Sequence, residues 1–88
     1  MKNFQYIIEY GKEPLIYGKQ QRIDASKDLG GKIPKSMKSI YVVSVSAKSN
    51  EGYNEIIVTR KYINSPSKML ALTLKYKKKF KNSTIQHI

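Results

Sequence analysis

The sequence contains no cysteine and no tryptophan, one histidine, and only six acidic residues against seventeen basic ones. Each scarcity excludes something. Without cysteine there is neither a disulfide framework nor a thiolate zinc site. A single histidine, His87, removes the His pairs that metal binding and acid–base chemistry commonly use. Eighty-eight residues form one domain, and a chain of this size hides only roughly 60–65% of its unfolded surface, so the core is thin. Packing alone, or a second subunit, must hold it together, and a homodimer is therefore allowed. No apolar run approaches the roughly 20 residues of a membrane span. The opening MKNFQYIIEYGKE has no signal-peptide core, so a cytoplasmic protein without a membrane partner is expected.

What the chain has in excess is positive charge, formally +11 at pH 7. Residues 1–55 carry all six acids beside nine basic residues, whereas 56–88 carry eight basic residues and no acid. A one-signed field concentrated in part of a small domain attracts polyanions. Fifteen of the basic residues are lysine and only Arg22 and Arg60 are arginine. Lysine suits phosphate contacts as a point charge, while bidentate reading of guanine favours arginine. Part of the lysine excess is also what an AT-rich coding sequence would produce.

In chain order, Phe4–Tyr10 alternates Phe4, Tyr6, Ile8 and Tyr10 against Gln5, Ile7 and Glu9, the period of a half-buried strand. Gly11-Lys12-Glu13-Pro14 reads as a turn and Leu15-Ile16-Tyr17 as a returning strand, which makes a first hairpin. Asp24 is a candidate cap for a short helix over 25–29, with Gly30 as its left-handed stop. Gly30–Ser36 is a loop. It fails as a phosphate-binding P-loop, because Ser26 stands in place of the first glycine and Ile33 in place of the hydroxyl residue after Lys32. Ile40–Ala47 is apolar on both faces at its start, which marks a central strand. Ser49-Asn50-Glu51-Gly52 forms a turn, and Tyr53–Ile63 returns as the partner of a second hairpin.

Ser65–Lys81 admits two forms. As a helix it starts with a Ser65 cap and Pro66, and places Met69, Leu72, Tyr76 and Phe80 on one face. As a strand it alternates Leu70, Leu72, Leu74 and Tyr76 against Ala71, Thr73, Lys75 and Lys77. Composition favours the helix. The expected fold is α+β: a small antiparallel sheet of about four strands in two hairpins, a short middle helix, and a C-terminal helix on one face, in the order β-β-α-β-β-α. Residues 1–81 form the single compact basic domain, and 82–88 a short flexible tail.

Catalysis is not expected. The acids Glu9, Glu13, Asp24, Asp28, Glu51 and Glu55 are scattered over predicted turns, caps and strands, and no cofactor or metal motif is present. A metal-free ribonuclease built on Tyr, Lys, Arg and Glu is the enzymatic alternative. The economical reading is a non-enzymatic nucleic-acid-binding protein that contacts the phosphate backbone. Its candidate residues are Arg60, Lys61, Tyr62, Lys75, Lys77, Lys78, Lys79 and Lys81. Tyr17, Tyr53 and Tyr62 are the candidates for stacking on unpaired bases, whereas Tyr6, Tyr41 and Tyr76 belong to apolar stripes. The rival is a small phage- or plasmid-type accessory protein that sets the same basic face on an acidic host protein or nucleoprotein complex. A purely solvated helix end is the bland alternative for the lysines, but such a face usually mixes both signs.

Overall fold

A computed structural model of the chain describes residues 4–15, 18–49 and 55–88. Its elements run β1 (Phe4–Pro14), α1 (Lys19–Leu29), β2 (Ser39–Ser49), β3 (Glu55–Ile63), α2 (Pro66–Lys79) and β4 (Ser83–His87). The fold is α+β, with one four-stranded sheet in the order β3-β2-β1-β4. Strands β1 and β2 are antiparallel, as are β2 and β3, but β4 lies parallel to β1. The sheet is therefore mixed, where an antiparallel one was expected.

The expected first hairpin is replaced by one long strand. Gly11, Lys12, Glu13 and Pro14 continue β1 and pair with Val42, Tyr41, Ile40 and Ser39. Turn composition loses here to the partner: β2 is long and apolar, and four more paired residues outweigh a local preference. Pro14 is tolerated because it ends the strand, where its missing N–H leaves little of the ladder unmade. Residues 16 and 17 of the expected second strand lie outside the described residues, as do positions 50–52 of the turn proposed before β3.

Helix α1 begins at Gly18 rather than at Asp24. Asp24 is inside it, accepting from Gln20 Nε2 at 2.9 Å one turn earlier. The extra turn and a half is held by Gln21, which is buried and donates through Nε2 to the Pro14 carbonyl at 2.9 Å, and by the fully buried Ala25. A glutamine and an alanine make a poor apolar stripe, which is why the periodicity understated this helix. Its stop is as expected: Gly30 adopts φ 78°, ψ 20° and returns N–H bonds to Ser26 and Lys27.

Strand β2 is interior and buried on both faces. On one face Val43 and Val45 join Ile8, Ile63 and the α2 residues Met69 and Tyr76. On the other, Ile40 and Val42 join Leu15, Ala25 and Tyr62. The two helices thus cover opposite faces, α2 spanning the sheet and α1 covering the corner beside β3. Helix α2 takes the helical form of its two readings. Ser65 Oγ accepts from the Lys68 N–H at 3.4 Å, Pro66 opens the first turn, and Leu72 and Phe80 pack half-buried against the core with Met69 and Tyr76.

Residues 82–88, expected as a tail, supply the fourth strand. The Tyr6 N–H bonds to the Asn82 carbonyl at 3.0 Å and the Ile88 N–H to the Tyr10 carbonyl at 2.8 Å, so β1 gains a second ladder. Five polar-rich residues carry almost no strand signal in isolation; the open edge of β1 recruits them.

Candidate nucleic-acid interface

Helix geometry decides where the lysines go. At 3.6 residues per turn, with Met69, Thr73 and Tyr76 against the sheet, Lys68, Lys75 and Lys79 fall on one flank of α2 and Leu70, Leu74 and Lys77 on the other. The contacts identify the flanks. Lys68 and Leu72 share a groove of about 340 Å³ with Lys61, Asn64 and Asp28, so the first flank faces β3. Lys77 Nζ donates to the Ser83 carbonyl, so the second faces β4. Lys78 points away from the sheet between them. Lys79 Nζ lies 5.6 Å from the Phe80 ring centroid, a cation–π contact that holds its stem. Lys81 is exposed in the turn before β4.

The strand residues Arg60, Lys61 and Tyr62 do not act as a group. Alternation sends Lys61 to the α2 side, in register with Val43, and Arg60 and Tyr62 to the α1 side, in register with Ser44 and Val42. Arg60 Nη2 pairs with Glu13 Oε1 at 2.9 Å. The Tyr62 side chain is buried beside Ala25 and Val42, so the ring offered for base stacking is a core ring. Burial, and secondarily the Glu13 carboxylate, raise its hydroxyl above the ordinary tyrosine range. Tyr17 and Tyr53 lie outside the described residues. Tyr6 and Tyr41 pack half-buried against the α2-side core, and Tyr76 is buried in it.

Register also sorts the acids. Glu9, Glu13 and Glu55 occupy α1-side positions of their strands, and Asp24 and Asp28 belong to α1 itself. Asp28 reaches the rim, where Oδ2 accepts the outward N–H of Tyr62 at 2.9 Å. Glu9 and Glu55 sit on strands separated by β2, opposite different residues. The α2 side carries Lys12, Lys61, Lys68, Lys75, Lys77, Lys78 and Lys79, and among the described residues none of these makes an ion pair. The charge asymmetry seen along the sequence is therefore also an asymmetry across the sheet.

Two members of this surface were missed by reading the chain. Lys12 lies on the α2 side because β1 does not turn at Gly11, and its Nζ stands 5.2 Å from the Tyr41 ring centroid. Lys68 precedes the lysine-rich turn, yet it shares a flank with Lys75 and Lys79 at spacings of seven and eleven. That spacing was available; the parity of Lys12 was hidden by the presumed turn.

Among the described residues, no three His, Cys, Asp or Glu side chains gather where a metal ion could be held. His87 stacks edge-on against Tyr10, with centroids 5.0 Å apart. No helix among them is long and apolar enough to cross a membrane. In comparisons with known proteins, the chain matches no family model, no curated protein and no solved structure at a significant level.

Proposed function

We propose that this protein is a non-enzymatic nucleic-acid-binding module that grips the phosphate backbone with the lysine face of α2. The observation that carries the reading is the sorting of charge across the sheet: among the described residues the α2 side holds seven lysines with Asp28 alone at its rim, whereas the strand carboxylates lie on the α1 side among basic residues. Such a face has a field dominated by one sign, with Asp28 as the carboxylate at its edge. Lys75, Lys78 and Lys79 project from a helix whose opposite side is locked into the core, with Lys61 and Lys68 along the adjoining groove. Lys77 is committed to the Ser83 carbonyl and serves the fold first. Arg60 and Tyr62 leave the site, and Lys12 and Lys68 enter it.

The chemistry favours backbone contact over base reading. The surface is made of point-charge ammonium groups, and the described tyrosines are wholly or partly engaged in packing. If five lysines each neutralise one phosphate, log K against log salt has a slope of roughly −4 to −5 for duplex DNA.

Fluorescence anisotropy with a labelled duplex and a labelled single strand, each at several salt concentrations, tests this. Binding with a steep negative slope is expected, flattened by roughly 2–3 in the Lys75→Glu, Lys78→Glu, Lys79→Glu variant. Absence of binding at low salt, or a triple variant as tight as the parent, overturns the proposal. In a pull-down, one dominant partner protein retained after nuclease treatment would instead favour the host-protein reading.

A further inference from the structure

Among the described residues nothing pairs with the outer edges of β3 and β4 along most of their length, and the two edges differ. Strand β4 is five residues long, and three of its side chains, Ser83, Thr84 and Gln86, are neutral and polar, features that blunt an edge. Strand β3 is nine residues long and exposes three consecutive apolar side chains, Ile56 at 64%, Ile57 at 61% and Val58 at 45%. Helix α2 crosses toward β4 as it runs away from Ile63, and α1 covers only the other end of β3, so among the described residues neither helix shelters these three. The far end of this edge is already closed, because Asp28 takes the Tyr62 N–H. The open stretch is 55–60.

We infer that β3 is a homodimerisation edge: two copies pair their β3 strands antiparallel about a two-fold axis at Ile57–Val58, which makes one continuous eight-stranded sheet. The occupant is a second copy because the stretch is complementary to itself. A two-fold at its midpoint sets Glu55 opposite Arg60, Ile56 opposite Thr59 and Ile57 opposite Val58. A strand without irregularity could not do this with its faces matched, since residues five apart point to opposite sides. The β-bulge removes that conflict: the register with β2 slips between Val45 and Ser46, so Val45 faces Thr59 and Ser46 faces Ile57, with Val58 extra. Glu55 and Arg60 then lie on the same side of the sheet, and each copy offers the other's guanidinium a second carboxylate beside its own Glu13, twice. Ile57 and Val58 of the two copies bury one another at the centre, while Ile56 packs against the partner's Thr59 on the other face. An acidic or neutral partner strand would leave Glu55 unmatched, since Arg60 has Glu13 in its own chain. The same axis, perpendicular to the sheet, puts both α2 helices on one face, so the dimer presents two lysine surfaces side by side.

The absence of cysteine makes the test direct. Residues 55 and 60 of one chain stand about 16 Å apart along a strand, too far for a disulfide, whereas paired across a two-fold they are within reach. On oxidation, the Glu55→Cys, Arg60→Cys double variant should run as a covalent dimer on a non-reducing gel. Either single variant alone should stay monomeric, and an equimolar mixture of the two should cross-link. In sedimentation equilibrium the unmodified chain should reach twice its 10.1 kDa mass. Ile57→Lys with Val58→Lys should return it to the monomer with an unchanged far-ultraviolet circular dichroism spectrum, since both side chains are exposed. A parent chain that stays monomeric at every concentration overturns the inference, and so does a dimer indifferent to Ile57→Lys and Val58→Lys. Equal cross-linking by the single variants overturns the register and with it the proposal. None of these readouts involves nucleic acid, so they stand or fall apart from the binding activity.

Discussion

Gly11 of β1 and Ile88, just past β4, approach so closely that a Cβ on Gly11 would lie 2.9 Å from the Ile88 Cβ. Gly11 also has φ 153°, a conformation that L side chains rarely adopt. Both facts come from the recruitment of β4: the chain returns parallel to β1 and needs a bare backbone at the point of closest approach. Gly11→Ala is therefore expected to cost about 1–3 kcal/mol, from backbone strain together with displacement of Ile88. Urea titration measures the loss, and hydrogen exchange should show protection falling first in β4. An unchanged midpoint would mean that Ile88 yields freely and β4 is not held at that point.

The lysines of α2 should separate into two groups by a pair of substitutions. Lys77→Ala removes the donor to the Ser83 carbonyl, and is expected to cost about 0.5–1.5 kcal/mol of stability with a small effect on nucleic-acid binding. Lys75→Ala removes an exposed ammonium without a partner among the described residues. It should leave stability within about 0.5 kcal/mol and lower the salt slope of binding by about 0.9. Denaturant midpoints and anisotropy slopes on the two variants check both halves. Interchangeable behaviour would show that flank position on α2 does not matter.

Much of the α2 half of the molecule was legible in the sequence. Ser65, Pro66 and the 69/72/76/80 spacing each report a local property, and local properties survive folding. The β2–β3 pairing was legible for the same reason: a strong apolar run and its antiparallel return. What could not be read were the outcomes of competition. Gly11–Pro14 has turn composition but meets β2; Gln21 is polar but satisfied by Pro14; 83–87 is nondescript but lies beside an unpaired strand. In each case a long-range partner overrode a local preference. The placement of the candidate residues followed the same division. The α2 lysines could be read from composition, whereas the separation of Lys61 from Arg60 and Tyr62, and the entry of Lys12, depended on register.

Among the described acids, Asp28 is the one placed to guard an edge. Its Oδ2 takes the Tyr62 N–H, which otherwise points out of the sheet with no strand to meet. Asp28→Ala should cost about 1–3 kcal/mol, because a carboxylate hydrogen bond is lost and the amide is left to water beside the groove. Asp28→Asn keeps an acceptor and should cost less. Amide exchange at Tyr62 distinguishes them: faster in the Ala variant, close to the parent in Asn. Equal exchange in all three would remove Asp28 from the edge.

Tyr62 gives the fold a pH dependence whose sign can be worked out. Burial, then the neighbouring Glu13 carboxylate, disfavour the phenolate, so the folded hydroxyl keeps its proton after the unfolded one has released it. Stability from this residue is complete below the unfolded value of about 10, and declines as pH rises through and beyond it. Tyr62→Phe keeps the ring in the α1-side core but removes the hydroxyl and its interaction with the Glu13 carboxylate. The variant should lose about 1 kcal/mol at neutral pH. Above about pH 10 the parent should lose stability faster, so the gap between the two narrows. Urea unfolding of both proteins across this range isolates the residue, because every other side chain is common to the two. A gap that stays constant through the alkaline range would show that the Tyr62 hydroxyl ionises as easily folded as unfolded, and that Glu13 turns toward Arg60 alone.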